Sequence, residues 1–267
     1  MIHLKQILKS LWVKLLLLCL GLFVFESLFT ILGTSAQIYQ GMLKDMKDVP
    51  PMVEKMMGEG FIEAILRYGI IAIGYMHPFM MVLFILTIFI TVSHVITSEI
   101  SSGAIGFTLS KPVSRKRIYV NLGIVIYIGL AFQALFAYSA SALGVVLFHS
   151  ERLSTAPFAT LTWNLFLIMI FIAGYISIFA AFSDSGKILF TLGGVTLLVF
   201  YLLNAAAPLW KPLNYLLPIN PFHYYNPMAI FVGSKVSTGT SILIIFVSLA
   251  MFTAGGWIFS RRDIACG

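Results

Sequence analysis

The chain has 267 residues, of which 60% are hydrophobic and only 10% are charged, and its mean hydropathy is +0.98. A soluble globular domain carries about 25% charged residues, so the 17 basic and 10 acidic side chains cannot give a protein of this size a polar surface. The composition excludes a water-soluble enzyme and indicates that lipid is the solvent for most of the surface. The formal net charge of +7 does not indicate a nucleic-acid partner, because such binding needs a basic face on a soluble fold.

Six stretches of the sequence are apolar and long enough to cross a bilayer, which takes about 20 residues of helix. They lie at 11–33, 70–96, 118–148, 159–182, 188–209 and 241–259. The third stretch is too long for a perpendicular crossing, so we expect it to tilt, kink or project beyond the bilayer. The first has lysines before and near its start (Lys5, Lys9 and Lys14), as in a signal peptide, but it is long enough to span and we expect it to be retained. The sequence therefore predicts an all-α integral membrane protein, a single domain of six transmembrane helices.

The distribution of basic residues predicts the orientation of these spans. An even number of crossings puts both termini on one side, together with the loops at 97–117 and 183–187. That side holds ten basic and three acidic residues, and the opposite side holds seven basic and six acidic residues. Because Lys and Arg are concentrated in cytoplasmic loops, both termini are predicted to be cytoplasmic in a plasma membrane.

Glu26 is the one acidic residue well inside a predicted span. Ionisable residues within a membrane are energetically costly and are functional candidates by default. A proton or cation site is one interpretation. Pairing with a polar residue of a neighbouring helix, or exposure to a water-filled translocation cavity, is the interpretation that we favour.

The 34–69 segment is the longest predicted outer loop. It mixes charged with apolar residues at four-residue spacing, which is typical of amphipathic helices that lie on the outer leaflet or cap the bundle. It carries five methionines, at Met42, Met46, Met52, Met56 and Met57. Thioethers favour Cu(I), which makes these residues copper candidates. Methionine is equally a flexible apolar filler, and we favour that interpretation, with no metal bound.

The second outer segment, 211–240, is predicted to be a re-entrant or loop region. Its four prolines exclude a single continuous helix. Its aromatic residues are expected to form a belt at the level of the lipid headgroups. They are Trp210, at its edge, and Tyr215, Tyr224 and Tyr225.

Small residues recur at helical spacing within two of the predicted spans. They are Ala137, Ala140, Ser141 and Gly144 in the third span, and Ala173, Ser177 and Ala181 in the fourth. Such ridges let helix backbones approach closely. We favour packing inside the bundle over a subunit interface as their role.

The segment between the second and third spans reads TSEISSGAIGFTLSKPVSRKRIYVNLG over residues 97–123. Ser98 is a candidate N-cap for a short helix that starts at Glu99, and Lys111-Pro112 would end it. The segment is therefore predicted to form a short amphipathic helix on the cytoplasmic side, followed by a basic cluster. The pattern by itself also fits an interfacial helix held on anionic lipid by Lys and Arg.

The order Glu99-x-x-x-Gly103, followed by LSKPVSR at 109–115, resembles the signature loop of ABC-2 type permeases, the membrane subunits of one class of ATP-binding-cassette transporters. The six-span layout, the cytoplasmic termini and the FSRRDI ending at 259–264 are similar too. Within the family, SKPVSRKR most resembles permeases grouped with multicopper-enzyme maturation. Ser101 and Ala104 depart from residues that many members carry. The resemblance implies a coupling helix that docks on an ATPase subunit, with coupling carried by Glu99, Gly103, Ser110, Pro112 and Arg115.

The chain lacks the phosphate-binding motif G-x-x-x-x-G-K-[ST], since its one Gly-Lys pair, Gly186-Lys187, is followed by Ile188. We therefore expect it not to be an enzyme by itself and to bind no cofactor. The resemblance implies a separate nucleotide-binding subunit that holds ATP and Mg, and a second copy of this permease or a homologous one. It implies the permease subunit of an exporter in the plasma membrane.

Two alternatives remain open from the sequence. One is a non-transporting ABC membrane subunit that transmits ATPase motion to an extracytoplasmic protein. The other is an ATP-independent carrier or channel in which Glu26 is the coupling site.

Overall fold

The computed structural model describes residues 2–35, 40–41, 61–103, 105–106, 114–148 and 153–263. Within these ranges the chain is helical, with short connections and no β-strand. Six of the helical stretches are long and apolar enough to cross a membrane. For the described residues, the prediction of an all-helical membrane protein with six candidate spans is therefore confirmed. The spans are Leu4–Thr34, Ile70–Ser101, Arg115–Leu147, Ala156–Phe182, Gly186–Ala206 and Thr238–Arg261.

The α-helices of the described residues are numbered in chain order. They are α1 (Ile2–Thr34), α2 (Phe61–Tyr68), α3 (Ile70–Met76), α4 (Pro78–Val92), α5 (Ser98–Ser101), α6 (Arg115–Leu147), α7 (Ala156–Phe182), α8 (Gly186–Leu189), α9 (Val195–Ala206), α10 (Pro227–Phe231) and α11 (Thr238–Arg261). Single π-helical segments, Ser93–Thr97 and Phe190–Gly194, join α4 to α5 and α8 to α9. The second span is thus α3 to α5, and the fifth is α8 to α9.

The second span bends at His77, between α3 and α4. Pro78 has no N–H and disfavours a helical conformation in the residue before it, and His77 is extended at φ −65° and ψ 130°. The His77 imidazole Nδ1 accepts a hydrogen bond from the Phe79 N–H at 3.2 Å and so caps α4. The bend separates the short α3 from the main part of the span.

At its other end the second span runs on further than expected, and the prediction that Ser98 is an N-cap is wrong. An N-cap residue is extended, whereas Ser98 is helical at φ −70° and ψ −39° and continues the helix of the second span. The helix ends at Gly103, whose φ of +72° lies in the left-handed region that favours glycine. The cap in this region belongs to the third span: Ser114 Oγ accepts from the Arg117 N–H at 3.3 Å, and α6 begins at Arg115.

The 33 residues of α6 make it longer than the bilayer core. At about 1.5 Å per residue it extends roughly 50 Å, against about 30 Å of hydrocarbon. This length agrees with the expectation of a tilted or projecting third span.

Helix α7 lies at the centre of the bundle and packs chiefly against α11, while α1 packs chiefly against α6. Both predicted ridges of small residues are buried inside the chain, in the contacts between its own helices. Gly174 of α7 lies so close to α11 that an added Cβ would be 2.7 Å from the carbonyl oxygen of Ser248. Because Gly174 has no side chain, the backbones of α7 and α11 can meet here.

Polar side chains add hydrogen bonds between the spans. Ser248 Oγ of α11 donates to the Ile170 carbonyl of α7 at 2.5 Å, and Tyr119 Oη of α6 donates to the Ser177 carbonyl of α7 at 2.8 Å. Gln133 Nε2 of α6 donates to a carbonyl of α4 at 3.1 Å. In lipid, where no hydrophobic force draws helices together, close packing and such bonds hold the bundle.

The segment between α9 and α11 is not one continuous helix, as its prolines predict. Two 3-10 helices, Lys211–Ile219 and Pro221–Tyr224, precede α10. Three of the four aromatic residues predicted to form a headgroup belt are exposed: Trp210, Tyr215 and Tyr224. Tyr225 is buried, so its predicted place in the belt is wrong; its hydroxyl bonds to the second span instead.

We expect Gly174→Ala to lower the free energy of unfolding by about 1–3 kcal/mol, because the new methyl group would force α7 and α11 apart. Gly21→Ala is the matched control: Gly21 is also helical, and its added Cβ would meet no atom within 4 Å. Reversible unfolding in mixed detergent micelles measures both. Equal stability of the two variants would contradict close backbone contact between α7 and α11.

Candidate functional site

A chain of polar groups lies buried where α1, the second span and α6 meet. Glu26 of α1 is fully buried, and its Oε1 accepts a hydrogen bond from Ser141 Oγ of α6 at 3.1 Å. Tyr75 Oη of α3 lies 3.1 Å from the same Ser141 oxygen. Because a serine hydroxyl has one proton and here gives it to Glu26, Tyr75 is the donor to Ser141. The donors thus point in series from Tyr75 through Ser141 to the carboxyl of Glu26.

Tyr225 extends this cluster towards the segment before the last span. Its Oη donates to the main-chain carbonyl of Tyr75 at 2.9 Å. Burial, and to a smaller extent the nearby Glu26, raises the pKa of the Tyr225 phenol above its usual range, which keeps the hydroxyl protonated as a donor. Glu26, Ser141, Tyr75 and Tyr225 are called the Glu26 cluster below.

The second carboxyl oxygen of Glu26 has no hydrogen-bond partner among the described residues. It lies against the backbone of Gly74, where an added Cβ would be 3.1 Å from Oε2 and 3.0 Å from Phe29 Cβ and Cγ. The helices meet closely because glycine stands at this position. Nearby, Gly144 of α6 packs on Thr30 of α1, one turn beyond Glu26.

The sequence suggests several roles for Glu26, and the structure shows one of them: Glu26 pairs with Ser141, a polar residue of a neighbouring helix. The sequence marked Ser141 as a small residue for helix packing, not as a partner of Glu26. Tyr75 was not singled out, and Tyr225 was assigned to the aromatic belt. No sequence signal links these residues to Glu26, because a tyrosine in an apolar span is most often a packing residue.

A cavity of about 420 Å³ lies beyond Tyr225, between the ends of the second and fifth spans and the 208–228 segment. Its wall is apolar and aromatic, with amide groups and one imidazole. The residues that define its chemistry are Met76, Met81, Tyr201, Asn204, Asn214, His223, Tyr225, Asn226 and Met228. None of the described residues that line it is Lys, Arg, Asp or Glu. Such a cavity suits a small ligand that is uncharged or partly polar.

A second polar cluster lies at the opposite end of the bundle and is centred on Arg262, just after α11. The Arg262 guanidinium donates to the carbonyls of Ala181 at 3.2 Å and Ser183 at 3.1 Å and forms an ion pair with Asp184. The Arg115 guanidinium donates to the Arg262 main-chain carbonyl. We call Arg115, Asp184 and Arg262 the Arg262 network.

The Arg262 network ties four spans together at this end. It links the start of α6, the connection between the fourth and fifth spans, and the residue after α11. Gly186 in that connection packs on the second span, where its added Cβ would be 3.1 Å from Ser93 Oγ. Arg115, Ser183, Asp184 and Arg262, all expected to be cytoplasmic, are therefore joined by one set of bonds.

The five residues implied in coupling are only partly described. Glu99 lies half-buried on α5, Gly103 ends that helix, and Arg115 opens α6 with its guanidinium bound to Arg262. Ser110 and Pro112 lie outside the described residues, as do residues 104 and 107–111 of the predicted short helix. The sequence did not predict the partner of Arg115, although the FSRRDI ending and the 183–187 connection were both assigned to its side.

The copper candidates Met42, Met46, Met52, Met56 and Met57 also lie outside the described residues. In the part of the chain that is described, no group of three or more His, Cys, Asp or Glu side chains could hold a metal ion.

Comparison with known proteins identifies no relative. No protein-family model matches the chain, and no curated protein sequence matches it significantly. The fold and composition together define the class of protein at its coarsest level, a multi-pass helical membrane protein with six spans.

We expect Ser141→Ala to lower the free energy of unfolding by about 1–3 kcal/mol, because it leaves Glu26 Oε1 and the Tyr75 hydroxyl buried without a partner. Ser139→Ala is the control, since the Ser139 hydroxyl bonds to Phe136 of its own helix at 3.0 Å. Reversible unfolding in mixed micelles compares the two. If both variants lower the free energy of unfolding by the same amount, the hydrogen bonds of Ser141 to Glu26 and Tyr75 do not stabilise the bundle.

Proposed function

We propose that this chain is the membrane subunit of an ATP-driven transporter of the ABC-2 type, which couples ATP hydrolysis by a separate nucleotide-binding subunit to export across the plasma membrane. The Arg262 network is the observation that carries the proposal. The resemblance of the 97–117 loop and the six-span layout support it.

Coupling requires that a displacement of the loop reaches several spans. The loop is attached to the second span through α5 and to the third through Arg115. Arg115 is hydrogen-bonded to the main chain of Arg262, which is bound in turn to Ser183 and Asp184. A push on the loop would therefore move the ends of the third, fourth and sixth spans together, because charge-assisted hydrogen bonds of this kind are among the strongest in proteins.

The proposed orientation has both termini and the Arg262 network in the cytoplasm. At this end Lys5, Lys9, Lys116, Arg117 and Lys187 are exposed. Exposed basic residues suit anionic headgroups of the cytoplasmic leaflet and an acidic docking surface on a partner. ATP and Mg would be held by the ATPase subunit, and a second permease would complete the transporter.

A second candidate function, an ATP-independent carrier or channel, is favoured by the Glu26 cluster. Ionisable residues inside a span are typical of ion and proton pathways, and one carboxyl oxygen of Glu26 has no partner among the described residues. We rank it second because the Arg262 network has no role in that function.

We expect the chain to co-purify with the ATPase encoded nearest to its gene and to raise ATP turnover in lipid. Glu99→Ala should weaken this association about tenfold or more, since a hydrogen bond to a charged group contributes roughly 1.5–3 kcal/mol. Size-exclusion chromatography and ATPase assays measure both effects.

Glu63→Ala is the control for that experiment, because Glu63 is an exposed acid on α2, outside the 97–117 loop. It should leave association unchanged. If the unmodified chain neither binds nor stimulates any cognate ATPase, the transporter proposal fails and the carrier function built on Glu26 takes its place.

The proposed orientation predicts which of two introduced cysteines can be labelled from outside the cell. They replace the exposed residues Lys187 and Lys235. In a background with Cys19 and Cys266 changed to Ser, a membrane-impermeant maleimide should label Lys235→Cys in intact cells. Lys187→Cys should be labelled only after the membrane is opened. The reverse pattern would place the Arg262 network outside the cell and exclude docking of an ATPase on it.

A further inference from the structure

Glu26 is an unusual case of a fully buried acid without a basic partner. Among the described residues no Lys, Arg or His forms an ion pair with it. A charged side chain within a membrane span is energetically costly. An unneutralised carboxylate at this position would therefore destabilise the bundle.

The directions of the hydrogen bonds distinguish the two carboxyl oxygens. Ser141 donates to Oε1, and Tyr75 in turn donates to Ser141, so Oε1 accepts a hydrogen bond and already has a partner. Oε2 is buried and has no partner among the described residues. A cation that neutralises Glu26 would accordingly bind at Oε2.

The surroundings of Oε2 restrict the size of that cation. Gly74 packs directly on Oε2 and on Phe29, and a single added methyl group on Gly74 would already be in tight contact with both. A metal ion needs a shell of several oxygen ligands, whereas a proton needs no added volume. The proton is the cation that fits.

Tyrosines are the titratable groups linked to Glu26 in the described structure. Tyr75 of the second span and Tyr225 interact electrostatically with Glu26, and Tyr138 of α6 interacts with Tyr75. The His77 ring contacts the rings of Phe25 and Phe29. Its centroid lies 5.4 Å from that of Phe25 and 6.2 Å from that of Phe29. None of these groups supplies a fixed positive charge next to Oε2.

We propose that Glu26 is a proton-binding site inside the membrane, with the proton on Oε2, and that proton exchange requires the contact between Gly74, Phe29 and Glu26 to open. Binding adds one proton to the carboxylate and removes its charge. Release restores the charge and so favours separation of the second span from α1, which would let water reach the carboxyl. Proton occupancy and helix packing are thereby linked.

Tyr225 connects the Glu26 cluster to the 420 Å³ cavity. Its hydroxyl bonds to the Tyr75 carbonyl, next to Gly74, and the residue lines the cavity. The cavity is therefore the side from which the proton would enter. The site needs no ATPase, so the proposal stands or falls separately from the transporter function.

Infrared spectroscopy of the purified chain in lipid nanodiscs tests the site directly. We expect a carbonyl stretching band of a protonated carboxyl that disappears as the pH is raised and shifts in deuterium oxide. The band should be absent in Glu26→Gln and retained in Glu63→Gln. A band that is missing, that persists in Glu26→Gln, or that does not titrate while the protein stays folded would overturn the proposal.

A second measurement needs no variant. Dicyclohexylcarbodiimide modifies protonated carboxyl groups in apolar surroundings, and mass spectrometry should find the adduct on Glu26 of the unmodified chain, with a yield that falls as the pH rises. An unmodified Glu26 under conditions where the infrared band is present would contradict access to the site.

The opening step is tested by Gly74→Ala, with Gly21→Ala as the control. The added methyl group would push the second span away from Phe29 and Oε2, so hydrogen–deuterium exchange of the carboxyl should be at least about tenfold faster, which corresponds to about 1.4 kcal/mol. An exchange rate equal to that of Gly21→Ala would refute the role of this contact.

Discussion

Close contact between helix backbones at small residues is the constraint on which the rest of this structure depends. Lipid does not drive apolar helices together, so packing and hydrogen bonds between spans must hold them. Gly174 brings α7 against α11, and Gly74 brings the second span against α1. Both contacts place side-chain and main-chain polar groups within hydrogen-bond distance. The Glu26 cluster is a consequence of this packing, since its members come from separate helices.

The polar groups of the bundle are concentrated in two places with different chemistry. The Glu26 cluster is buried, and among the described residues no basic side chain forms an ion pair with its carboxyl. It lies close to a cavity whose described lining residues include no Lys, Arg, Asp or Glu. The Arg262 network is at the opposite end, is partly exposed, and joins charged side chains to the ends of helices. The first arrangement suits binding of a small group inside the membrane. The second suits transmission of force from a partner at the membrane surface, and the two proposals of function follow from this division.

Three residues, Glu26, Ser98 and Tyr225, show where reasoning from sequence succeeds and where it fails. Glu26 was recognised because an acid in an apolar run stands out in any window of the sequence. Ser98 was misassigned because a serine before an acid looks like a helix start, yet the second span continues through it. Tyr225 was placed in the headgroup belt because tyrosines are common there, but its hydroxyl has a partner in the bundle. The Tyr225 error concerns a residue whose environment depends on a distant segment, whereas the Ser98 error concerns where a helix begins, since Ser98 continues the helix before it.

The sequence by itself determined the number of spans, their approximate limits and the break in the 211–240 segment, because hydropathy and proline are local properties that act within one helix. The tertiary structure alone decided which polar groups meet. Glu26 and Ser141 are 115 residues apart, Arg115 and Arg262 are 147 apart, and Tyr75 and Tyr225 are 150 apart. Contacts at such separations depend on which helix faces pack together. That choice follows from the fit of small and large side chains over the whole bundle, which no short window of sequence contains.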